Sequence, residues 1–134
     1  MLDILKNLFK PSNQKEIPEL IEDELLAHFP EALNIDWYSV TDMYEAVFYL
    51  SDIEHIAKIS LKGKLIEYKK NIKLDDIPVV IKEASLKYGE TMSAIAIYSG
   101  KNVNYELIIR NNEMVRHIFL FNHKGQLLSK TLAE

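Results

Sequence analysis

The chain has 134 residues, 48% hydrophobic and 27% charged, with a formal net charge of −4 and no cysteine. A chain of this size can bury a core without disulfides or metal. Its mixed charge offers no basic stripe for nucleic acid, and the lack of cysteine excludes disulfides, thiol nucleophiles and cysteine-held metals.

The first segment, residues 1–15, places Leu2, Leu5, Leu8 and Phe9 on one helical face and ends in the turn-forming run Pro11-Ser12-Asn13-Gln14. It is expected to be a short docking helix and a linker. Asp3, Lys6 and Asn7 interrupt its apolar character, so as written it is not a signal peptide and points to a cytoplasmic setting. Two turns bury too little apolar area for stable membrane insertion, and no apolar run elsewhere reaches the length that spans a bilayer.

From Ile17-Pro18, the positions Leu20, Ile21, Leu25 and Phe29 keep helical spacing, with Glu19, Glu22 and Asp23 near the N-terminus and Pro30 as the stop. Beyond Pro30 the pattern changes to β-branched and aromatic runs. Strands are expected over Leu33 to Val40, Met43 to Leu50, Glu54 to Leu61 and Lys64 to Ile72. The short breaks Thr41-Asp42, Ser51-Asp52 and Lys62-Gly63 make these a meander of antiparallel neighbours.

The same order then restarts. Leu74-Asp75-Asp76-Ile77-Pro78 leads into a second helix containing Val80, Ile81, Ala84 and Tyr88, with Asp75 and Asp76 expected to cap it and Gly89 to end it. Four strands follow, over Thr91 to Ser99, Val103 to Arg110, Glu113 to Phe121 and Gln126 to Leu132. Ile17-Pro18 aligns with Ile77-Pro78, Tyr44-Glu45 with Tyr105-Glu106, His55-Ile56 with His117-Ile118, and Lys62-Gly63 with Lys124-Gly125, at an offset of roughly 60 residues throughout. The reading is an α+β fold, a tandem repeat of a helix plus a four-stranded antiparallel meander, with repeats at 16–73 and 74–134. Both helices are expected on one face, and the sheets are expected to run on from each other or pack closely.

Ile17-Pro18 through Phe29-Pro30, Trp37, Tyr44-Glu45-Ala46-Val47-Phe48, Lys62-Gly63, Leu74-Asp75-Asp76-Ile77-Pro78 and Tyr105-Glu106 resemble the PepSY-like proteins, related in fold to β-lactamase-inhibitor protein (BLIP). The resemblance covers most of residues 16 to 132. It implies a BLIP-like tandem fold, frequent export from Bacteroidetes-type bacteria, and no established enzymatic activity. The inhibitor's activity rests on particular loop side chains that are not matched to positions in this sequence, so inhibition is not carried over.

No set of residues is arranged for catalysis. His28, His55, His117 and His123 lack close ligand spacing, so no metal is expected. The repeated pairs His55/His117 and Glu45/Glu106 follow from duplication, and strand alternation assigns both glutamates to a solvated face. No strained serine elbow and no phosphate-cradling glycine loop occurs, so neither an enzyme nor a cofactor is expected.

Aromatic and aliphatic side chains on the strands remain. Tyr44, Ala46, Phe48 and Leu50 form an apolar face that should meet the first helix. On the mixed face, Tyr38, Val47 and Tyr49, with Ile108 and Leu120, form a candidate binding patch. In the second half, Val115, His117, Phe119 and Phe121 alternate with Arg116, Ile118 and Leu120, which suggests cover on both faces. The expected role is a non-enzymatic module engaging a protein or peptide partner through the exposed sheet face, or a second copy as a homodimer. The alternative is a small-molecule site in the crevice between the repeats.

Overall fold

The computed structural model describes residues 17–133. The helix and linker expected over residues 1–15 lie outside them. The described chain forms two units, dividing between Lys69 and Lys70. The first contains α1 (Glu19–His28) and strands β1 (Leu33–Val40), β2 (Met43–Leu50), β3 (Ile53–Ser60) and β4 (Leu65–Ile72). The second contains a 3-10 turn (Leu74–Asp76), α2 (Val79–Ser85), a second 3-10 turn (Leu86–Tyr88), and β5 (Glu90–Ser99), β6 (Asn102–Arg110), β7 (Arg116–Asn122) and β8 (Leu127–Leu132). In both units strand order follows chain order, and the ladders are antiparallel.

The division falls inside β4 rather than after it. Leu65 and Tyr68 pack against the first core, whereas Ile72 packs against the second. A single strand thus contributes side chains to both cores, which a boundary drawn from turn signals does not register.

Local chemistry explains the elements. Pro18 precedes α1, and its carbonyl accepts hydrogen bonds from the amides of Ile21 at 3.0 Å and Glu22 at 3.2 Å. Pro78 does the same for Ile81 and Lys82, both at 3.0 Å. In each case a fixed φ and a missing N–H suit the helix entry. Asp75 and Asp76 are therefore not caps, because they lie in the 3-10 turn one step earlier and α2 begins behind Pro78 with no side-chain cap. The α-helical part of α2 also ends at Ser85, sooner than the apolar spacing suggests, and tightens into 3-10 geometry before Gly89. A Cβ at Gly89, where φ is +138°, would sit 2.3 Å from the Arg110 carbonyl oxygen, so only glycine fits.

The hairpins use residues that tolerate left-handed backbone. Ser51 and Asp52 both have positive φ, as a two-residue turn between twisted strands requires. Gly63 and Gly125 occupy equivalent turns, their amides donating to the carbonyls of Ser60 at 2.9 Å and Asn122 at 3.0 Å. The strand expected to start at Glu113 starts at Arg116 instead. Asn111 accounts for this, since its Oδ1 accepts the amides of Glu113 at 2.9 Å and Val115 at 3.1 Å and closes a turn.

Each unit has its own core under its helix. In the first, Ile17, Ile21 and Leu25 meet Trp37, Phe48 and Ile59, with Ala46 and Ala57 leaving room for the larger rings. In the second, Ile77 and Ile81 meet Leu107, Ile109, Phe119 and Phe121. Glu24 on α1 also accepts the Leu65 amide at 2.8 Å, fastening the helix to β4. That bond holds the Glu24 carboxyl below its usual range, with further help from His28 and against some desolvation.

Candidate functional site on the sheet faces turned away from the helices

Strand alternation sends every second side chain away from the helix, and the ladder registers say which ones share a row. In the first unit Tyr38 lies across from Glu45, and Glu45 across from Lys58. The next row is Asp36, Val47 and Ile56, and Tyr49 lies across from Glu54. In the second unit the matching rows are Ile95, Glu106 and Leu120, then Ser93, Ile108 and Ile118. The five candidate residues Tyr38, Val47, Tyr49, Ile108 and Leu120 therefore all stand on faces turned away from the helices.

Their surroundings differ sharply. Tyr38 is 2% exposed and Val47 0%, so neither is available as a contact surface as the structure stands. Alternation assigns them the right face but cannot tell whether that face is bare. Tyr49 is half-buried, and its hydroxyl donates to Glu54 Oε2 at 3.0 Å. Ile108 and Leu120 are likewise half-buried, as are Ile97 and Ile118 on the same face, while Ile95 is buried.

Glu45 departs from expectation as well. It is 5% exposed rather than solvated, enclosed in a row with Tyr38 and Lys58. Lys58 Nζ lies 3.8 Å from Glu45 Oε1 and 3.6 Å from Glu67 Oε2, a loose bridge between two carboxylates. Among the described residues, Glu45 Oε2 is buried with no hydrogen-bond partner. Desolvation pushes the Glu45 carboxyl above its usual range; Lys58 and Lys69 oppose this, and Glu67 adds to it. A half-satisfied buried carboxylate of this kind costs stability unless something else offsets it.

The histidines are placed separately. His55 stacks on Phe48 with ring centroids 5.4 Å apart, and its Nδ1 lies 2.9 Å from the Ile53 carbonyl oxygen. His117 lies across from Ile109 beside Phe119, and His28 lies 3.2 Å from Glu24. Among the described residues no three acidic or histidine side chains gather as a metal site. A shallow cleft of about 330 Å³ opens beside Tyr88 and Gly89, lined also by Lys87, Asn111 and Glu113.

Two features were not singled out from the sequence. One is the membership of Ile97 and Ile118 in the candidate patch, where they stand partly exposed beside Ile108 and Leu120; the alternation in Ser93–Ser99 and Arg116–Asn122 does contain them. The other is β8, all six residues of which are exposed. Among the described residues it pairs with β7 alone, and a strand with one neighbour leaves half its backbone groups outside the ladder.

No protein-family model matches the chain, and no curated protein matches it. Solved structures do. A DUF2874 family protein from Bacteroides uniformis aligns at a TM-score of 0.77 and 14% identity, over 87% of this chain and 89% of that one. A putative periplasmic protein from Bacteroides eggerthii aligns at 0.78 and 16% identity, over 86% and 88%. A BLIP-like protein from Bacteroides fragilis aligns at 0.75 and 13% identity, over 90% of each chain. At these identities the likeness is one of fold, and the α+β architecture of this chain is BLIP-like. Among the described residues no helix is long and apolar enough to cross a membrane.

Proposed function

We propose that the chain is a non-enzymatic binding module that engages a protein or peptide partner through the face of the second unit turned away from α2. The observation that supports this is the set of partly exposed apolar side chains Ile97, Ile108, Ile118 and Leu120, on three neighbouring ladder rows around Glu106, beside a strand whose six residues are all exposed. Apolar side chains left accessible on a folded surface lose least by being covered, and such patches in a polar surround suit partner interfaces. In the first unit Val47 and Ile56, the counterparts of Ile108 and Ile118, are buried, and the Tyr49 hydroxyl is engaged by Glu54, so the reading rests on Ile108 and Leu120 among the five candidates.

The resemblance to PepSY-like proteins supplies a setting in which no enzymatic activity is established. The periplasmic assignment of the Bacteroides eggerthii protein favours an exported setting over the cytoplasmic one that the N-terminal sequence suggests. Affinity capture from the native cell, with wild type against Leu120→Glu, tests the reading. Partners lost with Leu120→Glu while the melting temperature holds would support it, and an identical partner set would remove this face. A change in sedimentation between the two proteins would identify the partner as a second copy.

A further inference from the structure

We propose that β8 accepts an extended acidic segment of another protein as an added strand, paired through the outward backbone groups of Lys130 and Leu132. This rests on the binding-module reading and names the edge, the mode and the partner's chemistry. The Ala133 amide donates to the Arg116 carbonyl at 3.0 Å. In an antiparallel ladder, hydrogen-bonded and non-bonded pairs alternate. The backbone groups of Thr131 and Ser129 therefore point at β7, and those of Lys130 and Leu132 point away from it.

Among the described residues β8 has a ladder to β7 alone. Its pairing is regular where it matters: Leu132 with His117, Thr131 with Ile118, Lys130 with Phe119 and Ser129 with Leu120, the irregularity lying beyond, towards the hairpin. Natural edges are blunted by bulges and charge. β1 carries such a device near its start, a register shift between Leu33 and Asp36 with Asn34 at φ +54°. On the outward half of β8 the device is a charge, Lys130.

Charge selects the occupant. Between Glu113 and Glu134 the chain carries Arg116, Lys124 and Lys130 and no further acid, so the segment including both glutamates has one more cation than acid in a chain whose formal net charge is −4. All three are exposed, and the Lys130 ammonium rests 5.6 Å from the Phe119 ring, on the α2 side of the sheet. A second copy pairing through β8 would bring Lys130 towards its counterpart, which like-charge repulsion opposes. An incoming strand with an acid facing Lys130 and an apolar residue facing Leu132 meets no such cost, and strand addition supplies the main-chain bonds.

The test uses the full chain and two labelled peptides of about ten residues, one alternating Glu and Val and the other Lys and Val. The acidic peptide is expected to bind, to weaken as salt rises, and to bind about tenfold more weakly to Leu132→Pro, which removes an outward N–H and leaves every charge in place. N-methylating alternate amides of the acidic peptide should have the same effect on the unaltered protein, so a folding defect in Leu132→Pro cannot decide the outcome. Equal binding of both peptides would overturn the inference, as would undiminished binding after N-methylation. If binding falls with Leu120→Glu but survives N-methylation, the edge inference fails and the face reading stands.

Discussion

The two units solve one packing problem in opposite ways. The inner row of the first unit reads Trp37, Ala46, Ala57 across β1, β2 and β3, and the matching row of the second reads Ala94, Leu107, Phe119 across β5, β6 and β7. Bulk sits at the β1 end in one copy and at the β7 end in the other. A core needs its total volume filled, and which strand supplies the largest side chain is free to drift. The outer rows differ in kind. Val47 and Ile56 are buried, whereas their counterparts Ile108 and Ile118 are partly exposed, and Lys58 across from Glu45 is replaced by Leu120 across from Glu106. One copy buries Glu45, Val47 and Ile56 on this face, and the other leaves Ile108, Ile118 and Leu120 partly accessible.

Core substitutions should test the compensation most strongly. Trp37→Ala leaves two alanines beside the gap and is expected to cost about 3 to 5 kcal/mol in denaturant unfolding. Ala57→Phe combined with Trp37→Ala, which imitates the order of the second unit, should recover part of that loss. No recovery would mean that the rows are not interchangeable.

A smaller effect, of opposite sign, belongs to the closed face. Burial raises the Glu45 carboxyl's pKa, so the folded chain holds that proton more tightly than the unfolded chain does. The stability linked to this group is therefore greatest at low pH and falls as pH rises from the ordinary glutamate range towards the raised folded value. Glu45→Gln should remove that slope and stabilise the protein at neutral pH by about 1 kcal/mol. A loss of stability at pH 7 would instead make the Lys58 bridge the dominant contact.

Glu24 should behave in the reverse sense. Its pKa is lowered in the folded chain, so its contribution is present above the ordinary glutamate range and is lost as pH falls through the lowered value. Glu24→Gln should cost about 0.5 to 1 kcal/mol at neutral pH, since the site is partly exposed, and the cost should vanish in acid.

Much of this architecture was legible in the residues. Pro18 and Pro78, the turns at Ser51-Asp52 and Lys62-Gly63, and the alternation of Tyr44, Ala46 and Phe48 act locally, so each could be read without its partners. Glu45 could not. A glutamate beside a tyrosine on a half-polar strand is usually solvated, and its enclosure depends on rows assembled from three strands. The same holds for the candidate site: alternation placed Tyr38, Val47, Ile108 and Leu120 on the correct faces, yet accessibility is a tertiary property that separates the first two from the last two. Asn111 shows the converse, a single side chain whose hydrogen bonds override the β-propensity of the residues after it.

The most direct measurement is the urea midpoint of Val47→Glu set against that of Ile108→Glu, one row position in its two copies. A closed first face and an open second face predict a severe loss for Val47→Glu, from an unpaired buried charge, and a shift several-fold smaller for Ile108→Glu. Equal losses would contradict the account, because the second face would then be as closed as the first and could not receive a partner.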